Sequence, residues 1–341
     1  MAFARRRCAV VIPVALLLLA AACGGGGDDA AKGRSQVTEP PTTSTTLAPG
    51  APLTGLPVSD PAVLSRIAVA VKIDNDPVAR PQAGLDKADL VYEEITEGIT
   101  RFVAVFQSTD TDAIGPVRSV RPADPLIVSP LNGLFAFSGG SPAAVALVSS
   151  ANLTTITENN TDTLRRRSGR AAPYNLYTST SALFAKAPAG GKAPPRFAQF
   201  LKAGEPFNPA GATPATKVTV QAAPGVTATY DWDAASSTFK RSTNGTAHTV
   251  EGGGQIAPAN VIVQFTPYSR FGADSKVTYP EVIGSGEAVF FAGGTTIKGK
   301  WSKSAATAVT AYTDATGAPL VLPPGRTLIE LVAPGSGITA A

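Results

Sequence analysis

Residues 88–141, ADLVYEEITEGITRFVAVFQSTDTDAIGPVRSVRPADPLIVSPLNGLFAFSGGS, decide the fold. Leu90 to Thr96 and Ile99 to Phe106 are rich in β-formers and are joined by Glu97-Gly98, a two-residue connection with glycine where a positive φ is needed. Counting outward from that turn pairs Thr96 with Ile99, Glu94 with Arg101, Tyr92 with Val103 and Leu90 with Val105. Both faces are apolar away from the turn, as expected of a central strand pair covered on two sides. Two readings of Arg101 are open. It makes a cross-strand ion pair with Glu94, worth roughly 0.2–1 kcal/mol, or it belongs to an anion site in which Glu94 orients it.

Downstream, Gly115-Pro116 marks a turn, and Arg118 and Arg121 sit on backbone constrained by Pro116 and Pro122. Guanidinium groups held this way suit two-pronged contact with carboxylate or phosphate. Leu134 to Ser138 reads as a short buried strand. Gly139-Gly140-Ser141-Pro142 then opens a helix, with Ser141 as N-cap and Pro142 at the first helical position. Such a glycine loop turns backbone N–H groups toward an anion. The expected ligand-binding set is Arg101, Arg118, Ser119, Arg121, Gly139, Gly140 and Ser141, with Arg80 and Glu94.

The front of the chain has a different character. Arg5–Arg7, the apolar run from Cys8 to Leu19 and the small residues Ala20–Ala22 before Cys23 form an export signal over residues 1–23. Small residues before a cysteine followed by Gly24–Gly27 are similar to a bacterial lipobox, with Ala20 where leucine is usual. The similarity implies that Cys23 is diacylated and becomes the first mature residue. Residues 24–52, dominated by Gly, Thr and Pro, read as a disordered tether spanning roughly 30 Å. The expected location is the extracytoplasmic face of the cell membrane, held by the lipid.

Cys8 and Cys23 are the only cysteines, so the mature domain is left without a disulfide, a thiolate metal site or a catalytic thiol. The formal charge is +4, and Arg5–Arg7 supply three of those charges. What remains is nearly neutral and gives no argument for nucleic acid.

Residues 53–216 read as a layered, mixed α/β N-terminal domain. Its features include a strand from Val69 to Asn75, a basic cluster from Arg165 to Arg170 and a short helix from Ser179 to Lys186. Residues 217–332 show short alternating runs separated by Gly, Pro, Asn and Asp, with Asn244-Gly245 as a hairpin turn. The expected class is therefore α+β, with a β-rich second domain closely joined to the first and residues 333–341 as a tail. Trp232 and Trp301 read as core aromatics.

The blocks AVKIDNDPVARPQAGLDKADLVYEE, EGITRFVAVFQS, IGPVRSVRP and RAAPYNLYTS resemble the YerB-like lipoproteins, a bacterial family without an established activity. YDWDAASSTFKRSTNGTAHTV, NVIVQF, GKW and PPGRTLIEL resemble that family's second domain. The resemblance runs from Leu53 to Val332. It places Arg80, Gly84, Asp89, Glu97, Gly98, Arg101, Arg118, Ser119 and Arg121 on the family's motif positions. The family commonly has histidine where this chain has Tyr174.

Few catalytic chemistries fit these residues. The single histidine, His248, lies in a threonine-rich strand without a nucleophile elbow and reads as half-exposed. Zinc ligands, a P-loop and a dinucleotide fingerprint are missing, and neither a cofactor nor a resident metal is expected. The leading reading is a non-enzymatic envelope lipoprotein whose arginine-lined cleft takes an anionic cell-wall precursor or the acidic face of a cell-wall enzyme. A second reading is a glycan or phosphoryl transferase using arginine clamps and a metal on Asp89 or Glu93. A third is a structural partner protein whose arginines only tie strands together.

Overall fold

The hairpin sits at the centre of the molecule. The computed structural model describes residues 50–151, 153–202, 204–272 and 276–341. The export signal, Cys23 and the tether up to residue 49 lie outside the described residues. In the N-terminal half the strands are β1 (Val69–Asp74), β2 (Leu90–Thr96), β3 (Ile99–Phe106), β4 (Leu134–Ala136) and β5 (Thr154–Ile156). The helices are α1 (Asp124–Val128), α2 (Pro142–Ser150) and α3 (Thr180–Phe184). The β2–β3 register is the one counted from the turn, Glu94 opposite Arg101 included. Glu97 and Gly98 both have positive φ, 53° and 81°, which is the primed turn that matches strand twist.

The C-terminal half adds β6 (Lys217–Ala223), β7 (Val226–Asp233), β8 (Thr238–Thr243), β9 (Asn260–Phe265), β10 (Gly284–Ala292), β11 (Thr295–Lys303), β12 (Ala311–Asp314), β13 (Thr327–Val332) and β14 (Ile338–Ala340). The main sheet runs β12-β11-β10-β9-β13-β2-β3-β1-β4-β5, and Thr213–Pro214 pairs with β11. It passes unbroken from one half of the sequence to the other through the parallel pairing of β13 with β2. A smaller sheet runs from Thr246–Ala247 through β8, β7 and β6 to β14.

Strands therefore dominate, and the protein is more β-rich than the layered α/β description expected of its first half. The reason is local. The N-terminal helices are short, and its connections are mostly loops and single turns of 3₁₀ helix. Residues 333–341, read as a tail, include β14, which pairs with β6.

Side-chain alternation gives each face of the main sheet its own core. On one face Val71, Ile73, Phe102, Ala104 and Leu328 pack against Val218, Val220, Tyr230 and Phe239 of the small sheet. On the other, Ala70, Leu90, Val103, Val105 and Ile329 pack against Ile127, Val128, Ala144 and Val148 of α1 and α2. Trp301 is buried as expected, while Trp232 is half-buried against Phe239.

Candidate functional site

The charged end of the β2–β3 hairpin lies over the helix-covered face. Arg101 shares that face with Val103 and Val105, and β1 places Asp74 directly opposite it. The next segment is fixed by backbone bonds on both sides. The Arg118 amide donates to the Lys72 carbonyl (2.9 Å), the Ser138 amide to the Arg118 carbonyl (2.9 Å), and the Val120 amide to the Gly139 carbonyl (2.8 Å). The segment ends where the Arg121 amide donates to Asp124 Oδ2 at 2.6 Å, at the start of α1.

This scaffold brings two arginines onto one carboxylate. Arg101 Nη2 and Arg121 Nη2 donate to Glu97 Oε2 at 3.2 and 2.7 Å. Both also reach the Ser119 carbonyl at 3.4 Å, and Arg121 Nε donates to Thr96 Oγ1 at 3.1 Å. Arg101 is 3% exposed, and its Nε has no partner among the described residues. Arg118 leans the other way. Its Nε lies 2.6 Å from Asp74 Oδ2, an ion pair without hydrogen-bond alignment, and its guanidinium sits 5.4 Å from the centre of the Tyr174 ring. Tyr174 thus offers Arg118 a cation–π face.

Ser119 and Gly140 separate two hollows. One, of about 210 Å³, is lined by Glu97, Ser119, Arg121, Gly140, Ser141 and Phe271. The other, of about 390 Å³, is lined by Arg118, Ser138, Gly139, Gly140, Glu158 and Arg166. Ser141 caps α2, its hydroxyl accepting from the Ala144 amide at 3.3 Å. A Cβ at Gly140 would stand 2.7 Å from Val120 Cγ1, so glycine is what lets the loop close on the arginine segment.

Electrostatics at the hollow are unequal. Burial pushes the Glu97 carboxyl up, but the Arg121 hydrogen bond and the charges of Arg121, Arg101 and Arg118 outweigh it, so its pKa lies below the ordinary value. Burial and then the nearby Arg121 charge lower the Arg101 pKa, although Asp74 and Glu97 oppose that shift.

Two expected members do not join this group. Glu94 is opposite Arg101 in register but lies deeper, where Lys72 Nζ donates to it and, at 2.8 Å, to Asp124 Oδ1. Lysine from β1, beyond β3, takes the carboxylate, and Glu97 at the turn serves Arg101 instead. Burial, assisted by the Asp124 charge, pushes the Glu94 carboxyl up to about 7 despite Lys72. Arg80 belongs to a different neighbourhood. It donates to Asn75 Oδ1 (3.1 Å) and to the Asn75 carbonyl (3.0 Å), and burial lowers its pKa, with the Arg241 charge adding to that and the Glu93 and Asp76 charges opposing it.

The carboxylates named for a metal do not assemble either. Asp89 is at the far end of β2, accepting from the Gln107 and Ser108 amides at 2.5 and 2.7 Å. Glu93 points to the small sheet, where Arg241 Nη2 lies 2.7 Å from its Oε2. Among the described residues no group of three or more His, Cys, Asp and Glu side chains is arranged to hold a metal. The basic cluster is largely engaged. Arg166 bonds Glu158 and Asn175, Arg167 bonds Glu251 over the Tyr177 ring, and Arg170 bonds the Ala79 and Pro81 carbonyls.

A buried polar cluster between the two sheets was not anticipated. Arg241 donates to Glu330 (2.7 Å) and Tyr230 and pairs with Glu93, while His248 Nε2 lies 2.9 Å from Gln82 Oε1. His248 is buried, not half-exposed, and burial followed by the Arg241 and Arg80 charges drives its pKa well down. The alternation of Phe239, Arg241 and Thr243 along β8 was the available signal, because it puts all three on one face.

A strand-dominated protein in which two domains share one sheet, with arginines gathered at a hairpin end of that sheet, is the class this structure defines. Residues 53–192 match the N-terminal domain, and residues 217–329 the C-terminal domain, of the family described as "Protein of unknown function (DUF3048)", and the chain belongs to this YerB-like family. Over 95 residues it is 47% identical to the Bacillus subtilis protein named "Putative lipoprotein YerB", a stretch covering 28% of each chain. The crystal structure of YerB from Bacillus subtilis superposes with a TM-score of 0.71 at 26% identity, covering 85% of this chain and 99% of that one. Among the described residues no helix is long and apolar enough to cross a membrane.

Proposed function

We propose that the protein is a lipoprotein anchored through Cys23 on the extracytoplasmic face, and that it binds an anionic group of the cell envelope in the hollow around Ser119. The name of the Bacillus relative and the lipobox-like Ala20–Cys23 support the anchor. One observation carries the binding site: Arg101 and Arg121 converge on a single, partly exposed carboxylate, with Arg118 just beyond Ser119 and the start of α2 lining the same hollow. Three guanidinium groups face two carboxylates, Glu97 and the buried Asp74. Glu97 occupies the place a ligand oxyanion would take, and its side chain, 37% exposed at the turn, borders solvent into which a competing anion could displace it. The ligand class is a phosphate- or carboxylate-bearing envelope precursor, and the site binds it without chemical conversion.

The test uses the full chain in detergent. Inorganic pyrophosphate and vesicles containing undecaprenyl phosphate are each titrated against the melting temperature and against binding heat. Saturable stabilisation is expected, with affinity about tenfold weaker in Arg118→Ala and the melting temperature of the unliganded variant lowered, because the buried Asp74 carboxylate loses its cation. Failure of both probes to bind ends the proposal for the hollow. The anchor is checked separately by recovery of the Cys23→Ala chain in the soluble fraction.

A further inference from the structure

The small sheet ends in a strand whose outer edge is open. Among the described residues β14 is its last member and pairs only with β6. Lys217 and Ala341 exchange backbone bonds in both directions, and the Gln221 amide donates to the Gly337 carbonyl. In an antiparallel ladder the intervening residues, Ile338 and Ala340, therefore turn their N–H and C=O groups away from β6. Ser336, Ile338 and Ala340 line a groove of about 850 Å³, at the upper end of the range for binding clefts.

The opposite wall of the groove is a stretch of the main sheet beyond β9. Register places Val289 opposite Lys298, Glu287 opposite Lys300 and Phe291 opposite Thr296. These side chains share the groove-facing side, and Phe265 adds a further apolar surface. Lys298 and Lys300 are exposed, and neither lies within ion-pair distance of a carboxylate among the described residues. The groove thus combines an unpaired ladder edge, an apolar floor and two free ammonium groups. Each asks for a different feature of one kind of occupant, a β-strand with acidic side chains.

We propose that this groove takes an extended acidic segment of a partner protein, which adds to the small sheet beside β14 and sets its carboxylates on Lys298 and Lys300. Backbone pairing to Ile338 and Ala340 supplies the register. The inward-facing side chains of the segment, at every second position, include an apolar one that packs on Phe265 and Val289 beside the carboxylates that meet the two lysines. The site is separate from the arginine hollow and does not depend on it.

The experiment measures anisotropy of a labelled hexapeptide with valine and two glutamates at every second position and threonine between them, against the full-length protein in detergent. Three comparisons accompany it: the same peptide N-methylated at alternate amides, a counterpart with lysine for glutamate, and the Lys298→Glu/Lys300→Glu protein. Saturable binding is expected, weakened about tenfold or more by N-methylation, by the lysine peptide and by the double substitution. Equal binding of the N-methylated peptide overturns the strand-addition geometry, and equal binding of the lysine peptide overturns the acidic preference. No binding at millimolar peptide overturns both. A dimer in sedimentation that Ala340→Pro dissolves, in a protein that binds no peptide, assigns the edge to a second copy of the chain, and overturns the proposal as well.

Discussion

Glu97 carries two charges' worth of attention at the arginine hollow. Its Oε2 receives Arg101 and Arg121 together, yet the side chain is 37% exposed at the tip of a tight turn. A carboxylate so placed competes with any incoming anion for the same donors. Glu97→Gln keeps the shape, removes the competing charge and leaves Arg101 and Arg121 with a weaker acceptor. If the hollow binds anions, pyrophosphate affinity rises several-fold in this variant, because a displaced amide costs less than a displaced carboxylate. The same change lowers stability in the unliganded protein only slightly, since a partly exposed pair is worth about 1 kcal/mol or less. The pH dependence has a definite sign. The folded-state pKa of Glu97 is depressed, so its contribution is present above the unfolded carboxylate value and lost as pH falls through the lower, folded one. A calorimetric comparison of wild type and Glu97→Gln near pH 6 and pH 3 reads this directly: the stability gap closes at the lower pH. An affinity that falls in Glu97→Gln means the carboxylate helps to build the site, and the competition argument fails.

At the level of elements, the arginine hollow depends on how the glycine loop meets the segment before α1. Gly140 presses against Val120, and Ser141 starts α2 immediately afterwards. Gly140→Val pushes a branched side chain into Val120 Cγ1 and moves the loop off the arginines. The expected cost is about 1–3 kcal/mol of stability, as for other overpacked sites, together with loss of pyrophosphate binding. Ser141→Ala separates the two effects. It removes only the cap, at about 1 kcal/mol, and leaves the loop path intact, so binding persists if the loop and the arginines form the site. Denaturant midpoints and binding heats measured on both variants check the pair. These elements were legible in the sequence because their signals are local: Glu97-Gly98 fixed a two-residue turn, the turn fixed the register, and Ser141-Pro142 marked a helix start. Side-chain partners were not legible, because they are set across strands distant in sequence. Glu94 stands opposite Arg101 as counted, but Lys72 on β1 reaches it first. Nor could Arg80 be assigned to a face before the loop after β1 was seen wrapping Asn75. The surplus of β structure escaped notice for a related reason: glycine- and proline-rich connections in the first half looked compatible with helices that proved very short.

The two halves of the whole molecule are locked by charge as well as by a shared sheet. Arg241 and Glu330 come from the C-terminal half, Glu93 and Gln82 from the N-terminal half, and all are buried. Removing Arg241 strands two carboxylates in a dry interior, which costs about 3–5 kcal/mol. Arg241→Met is therefore expected to lower the stability of both halves together, in one transition, because β13 pairs with β2 and neither half has a complete sheet alone. The loss is pH-dependent with a fixed sign. Burial and the neighbouring Glu93 charge already raise the Glu330 pKa, and without the guanidinium the rise is larger. A carboxyl with a raised folded-state pKa stabilises fully below its unfolded value and loses that contribution as pH rises through the folded one. His248 adds to the same trend, since Arg241 is one cause of its lowered pKa and its removal lets the ring accept a proton at less cost in acid. The variant should thus lie closest to wild type near pH 5 and furthest from it near pH 9, above the Glu330 value of about 8 held in the presence of Arg241, as read by urea midpoints at the two values. Adding Glu93→Gln and Glu330→Gln to Arg241→Met removes the stranded charges and should recover much of the loss at pH 9. A gap that is the same at both pH values, or two separate unfolding transitions, would show that the cluster is a local packing feature and not the clasp between halves.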